Sequence, residues 1–148
     1  MSTTSHSRSI HIDAPVETVF GFVTDPTRVY EASYQKRKPV ITDQRMTPGA
    51  GAGSRYRFAG HLGVFPMHGE VTREEYVRNE RIVDGYRDGR NTYTVQPDAT
   101  GTTLTLTVES ISPVTVLNKG KDLLMGPDRN LGTWLANMKA AIETASHS

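Results

Sequence analysis

Residues 9–26 read SIHIDAPVETVFGFVTDP, and the order of structure written into them decides the fold. Residues 8–12, RSIHI, alternate polar and apolar, the period of a strand with one buried face. A helix follows at once. Pro15 suits a first helical position, Glu17 favours the first turn, and Val16, Val19, Phe20 and Val23 fall on one helical face. Thr24-Asp25-Pro26 stops that helix and starts a second over about 26–32, with Asp25 as its cap. Two helices this close make a V-shaped bracket, not the crossover of a parallel sheet.

Beyond the bracket the period changes to two. Strands are predicted over 39–46, 54–62, 67–78, 81–88, 91–97 and 102–111, separated by turn-rich clusters such as PGAGAG (48–53) and PDATG (97–101). Three of them share one asymmetry. Tyr56, Phe58 and Gly60 alternate with Arg55, Arg57 and His61; Tyr93 and Val95 alternate with Thr92, Thr94 and Gln96; Leu104, Leu106 and Val108 alternate with Thr103, Thr105, Thr107 and Glu109. Each has one wet and one dry face, as in an antiparallel sheet covered on one side. The cover is the last third, where Leu124, Leu131, Leu135, Met138 and Ile142 follow a helical spacing from about Val116 to Ala145. Gly126-Pro127 breaks that pattern, so a continuous helix is expected from about Asp128.

Composition removes whole classes of function. The chain has 148 residues and a formal net charge of +1, the size of one domain and no field for nucleic acid. No stretch reads as an integral membrane segment, and with no secretory signal at the start the cytoplasm is the expected location. Zero cysteines exclude disulfides, thiolate metal sites and a cysteine nucleophile. Residues 1–7 are expected to form a disordered tail and 8–145 a single domain.

The 9–26 segment resembles the opening of the START-related, helix-grip superfamily, also termed SRPBCC or polyketide cyclase/dehydrase-like. Ile10, Ile12, Ala14, Pro15, Val19, Phe20, Val23, Asp25 and Pro26 carry the resemblance. The glycine turn at Gly49, Gly51 and Gly53, the Gly101-Thr102-Thr103 start of the last strand and the closing NLGTWLANMKAAIE helix extend it to residues 8–145. The resemblance implies an α+β helix-grip fold: a curved seven-stranded antiparallel sheet, with two short helices, around a long C-terminal helix. It also implies a cavity between sheet and helix. Relatives of this kind bind lipids, sterols, quinones or polyketides, and some are cofactor-free cyclases, aromatases or dehydratases. No cofactor is implied, and oligomeric state, a homodimer included, is left open.

Aromatic residues are the better signal for a site. Tyr56, Phe58, Phe65, Tyr86, Tyr93 and Trp134 come from four strand regions and the closing helix, and would give apolar walls with a few hydroxyls. Met67, Leu131 and Met138 complete the expected lining. Tyr30 and Tyr34 are candidate gate residues, and Asn130, one turn before Trp134, is a candidate polar contact.

Arg73 and Glu75 pose a separate question. If Met67, Gly69 and Val71 point inward, strict alternation sends Arg73 and Glu75 inward as well, a costly arrangement inside an apolar cavity. The expectation is that a bulge near Thr72, or a solvated strand end, turns both outward. Inward, they would be the catalytic candidates of a cyclase, polarising a carbonyl and moving a proton.

Other motifs weigh less. His61, His68 and Glu70 suggest a metal trio, but a solvated sheet edge accounts for them and no metal is expected. The 48–53 glycines lack the spacing and the following helix of a phosphate loop. No nucleophile elbow is present: Gly53-Ser54-Arg55 fails the pattern. The leading expectation is therefore a binding protein for a hydrophobic or amphipathic small molecule. Its rivals are a cofactor-free polyketide cyclase, aromatase or dehydratase, and a protein-interaction module whose cavity is filled.

Overall fold

The computed structural model describes residues 2–33, 40–47, 51–62, 65–86, 89–112 and 127–146. Its strands are β1 (Ser2–Ile12), β2 (Val40–Arg45), β3 (Arg55–Leu62), β4 (Phe65–Val77), β5 (Arg81–Tyr86), β6 (Gly89–Pro97) and β7 (Thr102–Ser112). The helices are α1 (Val16–Val23), α2 (Pro26–Ser33) and α3 (Pro127–Ser146). All seven strands form one sheet in the order β1-β7-β6-β5-β4-β3-β2, every neighbouring pair antiparallel. This is the helix-grip architecture, with a long helix across one face of a meandering sheet.

The elbow between α1 and α2 forms for the reasons legible in 24–26. Thr24 ends α1, and the Asp25 carboxylate accepts the N–H groups of Thr27 (3.1 Å) and Arg28 (3.4 Å), capping α2. Pro15 sits one position earlier than expected, as the extended residue before α1, with its carbonyl accepting the N–H of Val19 at 3.1 Å.

One boundary differs in kind. Residues 2–7 are not a disordered tail: β1 begins at Ser2 and pairs with β7 in unbroken register from Ser2↔Ser112 to Ile12↔Thr102. The stretch looks too polar for a strand because its partner face is equally polar. Ser7 and Ser9 meet Thr107 and Thr105, hydroxyl to hydroxyl, at 3.0 and 2.7 Å. Strands β4 and β6 likewise start earlier than the pattern suggests, at Phe65 and Gly89. The helical spacing expected over 116–126 lies outside the described residues.

The core sits at the β1–β7–β6 end. Leu131, Leu135, Met138 and Ile142 make one buried stripe on α3, packed with Ile12, Val19, Phe20, Val23, Ile82, Val95, Leu104 and Leu106. Helix α3 lies along β1 and touches α2 and β7, while α1 packs on β6, β7 and both other helices. Polar staples hold the end of α3 to β1: Lys139 Nζ donates to the His11 carbonyl (2.7 Å), and Glu143 Oε2 accepts the Asp13 N–H (2.8 Å). Among the described residues, no helix is long and apolar enough to cross a membrane.

Candidate functional site

Antiparallel register places inward-facing residues of neighbouring strands in lines across the sheet. One line, Tyr76↔Ile82↔Tyr93↔Leu106 on β4 to β7, belongs to the core or packs directly on it. The adjacent inward line is Arg73↔Asp84↔Asn91 on β4, β5 and β6. Beyond it lie Tyr56 opposite Val71, and Phe58 opposite Gly69, on β3 and β4.

Arg73 therefore points inward and Glu75 does not. The expected bulge exists, but the register slips between Arg73 and Glu75, past Arg73, so Glu74 is the extra residue. The bulge turns Glu74 and Glu75 to the outer face, where they pair with Arg90 (2.8 Å) and Arg81 respectively. It returns Tyr76 to the inner face, where its ring meets Phe20 edge-on at 5.4 Å. The expectation that both charges face out is corrected for Arg73, because the extra residue comes after it.

The Arg73 guanidinium is held on two sides. Its Nε and Nη2 donate to Asp84 Oδ1 (2.8 Å) and Oδ2 (3.2 Å), and Nη1 donates to the carbonyl of Thr24 (2.9 Å). Thr24 closes α1, so the cation meets the negative end of that helix dipole. The strand itself is tied down by Arg73 N–H to the Ser54 carbonyl and Gly53 N–H to the Arg73 carbonyl, both 2.8 Å. Such a group is a clamp between the sheet and the helical bracket. Using it to polarise a substrate carbonyl would require breaking a buried ion pair.

The glycine segment contributes that anchorage through a built turn. Gly53 adopts φ +91, a conformation strained for other residues. The buried Ser54 hydroxyl donates to the Gly51 carbonyl (2.7 Å) and accepts the Thr47 N–H (3.0 Å).

The aromatic candidates divide into two groups. Tyr93 is part of the packed core, as are Leu131 and Met138, and Trp134 packs against it half-buried. Tyr56 is buried and Phe58 half-buried on the β3 side of the Arg73 line, with the Phe58 ring lying over Gly69. Tyr86, half-buried, donates its hydroxyl to Asn91 Oδ1 at 3.3 Å. Tyr34 lies outside the described residues. Tyr30, Phe65, Met67 and Asn130 have backbone in α2, β4 and α3, but their side chains lie outside the described residues, as do those of His61 and His68. Glu70 is exposed and pairs with Arg57 at 3.3 Å. Among the described residues no cluster of three or more His, Asp or Glu comes together.

Sequence reasoning missed Asp84 and Asn91. The signal was present in the alternation: Asp84 stands between Ile82 and Tyr86, and Asn91 precedes Tyr93 and Val95, all on the dry parity of their strands. A polar residue at a dry position is a request for a buried partner.

The family model for polyketide cyclase / dehydrase and lipid transport matches residues 3–143. Among solved structures, protein NE0264 of Nitrosomonas europaea superposes with a TM-score of 0.75 at 13% identity, covering 97% of each chain. Protein SA2116 of Staphylococcus aureus, described as of unknown function, gives 0.74 at 12% identity, covering 99% of this chain and 98% of its own. Protein Ms6760 of Mycobacterium smegmatis gives 0.72 at 16% identity, covering 97% and 92%. At such identities the likeness is one of fold. No curated protein matches the sequence. The family match spans nearly the whole chain and agrees with the sheet order and the gripping helix: the protein belongs to the polyketide cyclase/dehydrase and lipid transport family.

Proposed function

We propose that the protein binds a hydrophobic or amphipathic small molecule on the inner face of the sheet, beside the core that α3 covers. One observation carries this reading. Tyr56 and Val71 are buried, yet they stand apart from the apolar cluster that packs α1, α2 and α3 on the sheet. With Phe58 they make a second apolar surface, separated from the core by the Arg73–Asp84 pair, and family membership supports its use for a greasy ligand.

Binding is favoured over a cyclase or dehydratase reaction by the fate of the two charged candidates. Glu75 is spent on the outer face with Arg81, and Arg73 is committed to Asp84 and Thr24. The test is a thermal-shift panel of fatty acids, sterols, quinones and polycyclic phenols, read beside the emission of Trp134, the single tryptophan. A ligand at a hundred times its Kd adds about 2.7 kcal/mol, which for a chain of this size raises Tm by roughly 5–10 °C. A flat response across the panel, with side chains filling the space above Tyr56, would end the proposal in favour of an interaction module.

A further inference from the structure

The inner face of the sheet changes character twice along its strands. The core line Tyr76, Ile82, Tyr93 and Leu106 is followed by the polar line Arg73, Asp84 and Asn91, and then by the apolar surface of Tyr56, Val71 and Phe58. A molecule resting on that surface meets the polar line at its inner end, where the packed core begins.

The polar line is neutral as a whole. The Arg73 cation and Asp84 anion cancel, with each carboxylate oxygen of Asp84 taken by one guanidinium nitrogen. Next to Asp84 stands Asn91, half-buried, which accepts from Tyr86 on Oδ1. Among the described residues this is the only hydrogen bond of its side chain, so its two amide N–H donors are available to a ligand. An incoming carboxylate would lose its water and find the cation already paired and Asp84 beside it, a doubly unfavourable exchange. A neutral oxygen would find amide donors at Asn91, whose Oδ1 is held by Tyr86.

We infer that the site selects a neutral amphipathic molecule held polar end inward. Its hydroxyl or ketone oxygen bonds to Asn91 beside Tyr86, its apolar body lies on Tyr56, Val71 and Phe58, and carboxylates are rejected. This rests on the binding reading above and adds the orientation, the charge and the two residues that set the specificity.

Three probes that share a naphthalene body test it by isothermal titration at pH 7: 2-naphthol, 2-methylnaphthalene and 2-naphthoate. The expected order is 2-naphthol tightest, 2-methylnaphthalene about tenfold weaker for lack of the hydrogen bond, and 2-naphthoate weakest. In Asn91→Val the preference of 2-naphthol over 2-methylnaphthalene falls to about twofold or less. Tyr86→Phe, which removes only a hydroxyl, lowers the preference in the same direction and serves if Asn91→Val does not fold. Equal binding of all three, or 2-naphthoate tightest, overturns the inference and leaves the binding proposal standing. Binding of none overturns it too, and the wider ligand panel then decides the binding proposal by itself.

Discussion

Arg73 and Asp84 face each other across β4 and β5 as a two-pronged ion pair, at 2.8 and 3.2 Å, with side chains 1% and 6% exposed. A pair this deep contributes little net stability over an apolar replacement, but half of it alone is costly. Removing the carboxylate in Asp84→Ala strands a buried guanidinium and should cost about 3–5 kcal/mol in urea unfolding. Arg73→Met with Asp84→Leu should recover most of that loss. A single variant as stable as wild type would mean that the charge finds water.

Acid should unfold the protein partly through Asp98. Its carboxylate accepts from His11 Nδ1 (2.7 Å), the Thr103 hydroxyl (2.8 Å) and the N–H groups of Thr100 (3.1 Å) and Gly101 (2.8 Å). The His11 hydrogen bond comes first among the causes that hold its pKa down, from 3.8 to about 2. The unfolded chain therefore takes up this proton at a higher pH than the folded one. The stabilisation is complete above pH 3.8 and is lost as the pH falls toward about 2. Asp98→Asn should flatten the stability profile across that window; an unchanged profile would assign the acid sensitivity elsewhere.

Two glycine substitutions should separate stability from binding. A Cβ on Gly101 would come 2.3 Å from the Ile12 carbonyl oxygen and 3.2 Å from the Ala14 nitrogen, so backbone must move. Gly101→Ala should lose about 1–3 kcal/mol. On Gly69 the clash is with the Phe58 ring at 2.8 Å, and a ring can swing. Gly69→Ala should unfold closer to wild type than Gly101→Ala does, while changing the affinity for apolar ligands. Equal destabilisation with unchanged affinity would place Phe58 outside the binding surface.

Thr102 is fully buried, and its hydroxyl donates to the Ala14 carbonyl at 2.7 Å, joining the start of β7 to the chain before α1. Thr102→Val keeps the volume and orphans that carbonyl, at a cost of about 1–3 kcal/mol. Thr102→Ser keeps the bond and should cost less. A Thr102→Val protein with wild-type stability would show that the carbonyl finds another donor.

Much of the architecture was legible because each element carries its own period. The bracket at 15–33 follows from Pro15, Asp25 and Pro26, and α3 from the stripe ending at Ile142. Strand β1 reads short in the sequence because residues 2–7 hold nothing apolar; pairing with the Ser/Thr-rich outer positions of β7 is a property of two segments together. The candidate site was legible as a set of aromatics but not as a division. Tyr93 and Leu131 belong to the core while Tyr56 does not, because α3 crosses the β1–β7 end of the sheet.

The sequence by itself determined the order of the elements and the wet–dry alternation within most strands, since these depend on local spacing, and its opening segment carried the resemblance to the family. Only the tertiary structure decided where the alternation slips. One extra residue at Glu74, visible only against the register of β5, keeps Arg73 inside with Asp84 and sends Glu75 out to Arg81. A bulge is set by the strand opposite, and with it the polar line that would meet a ligand.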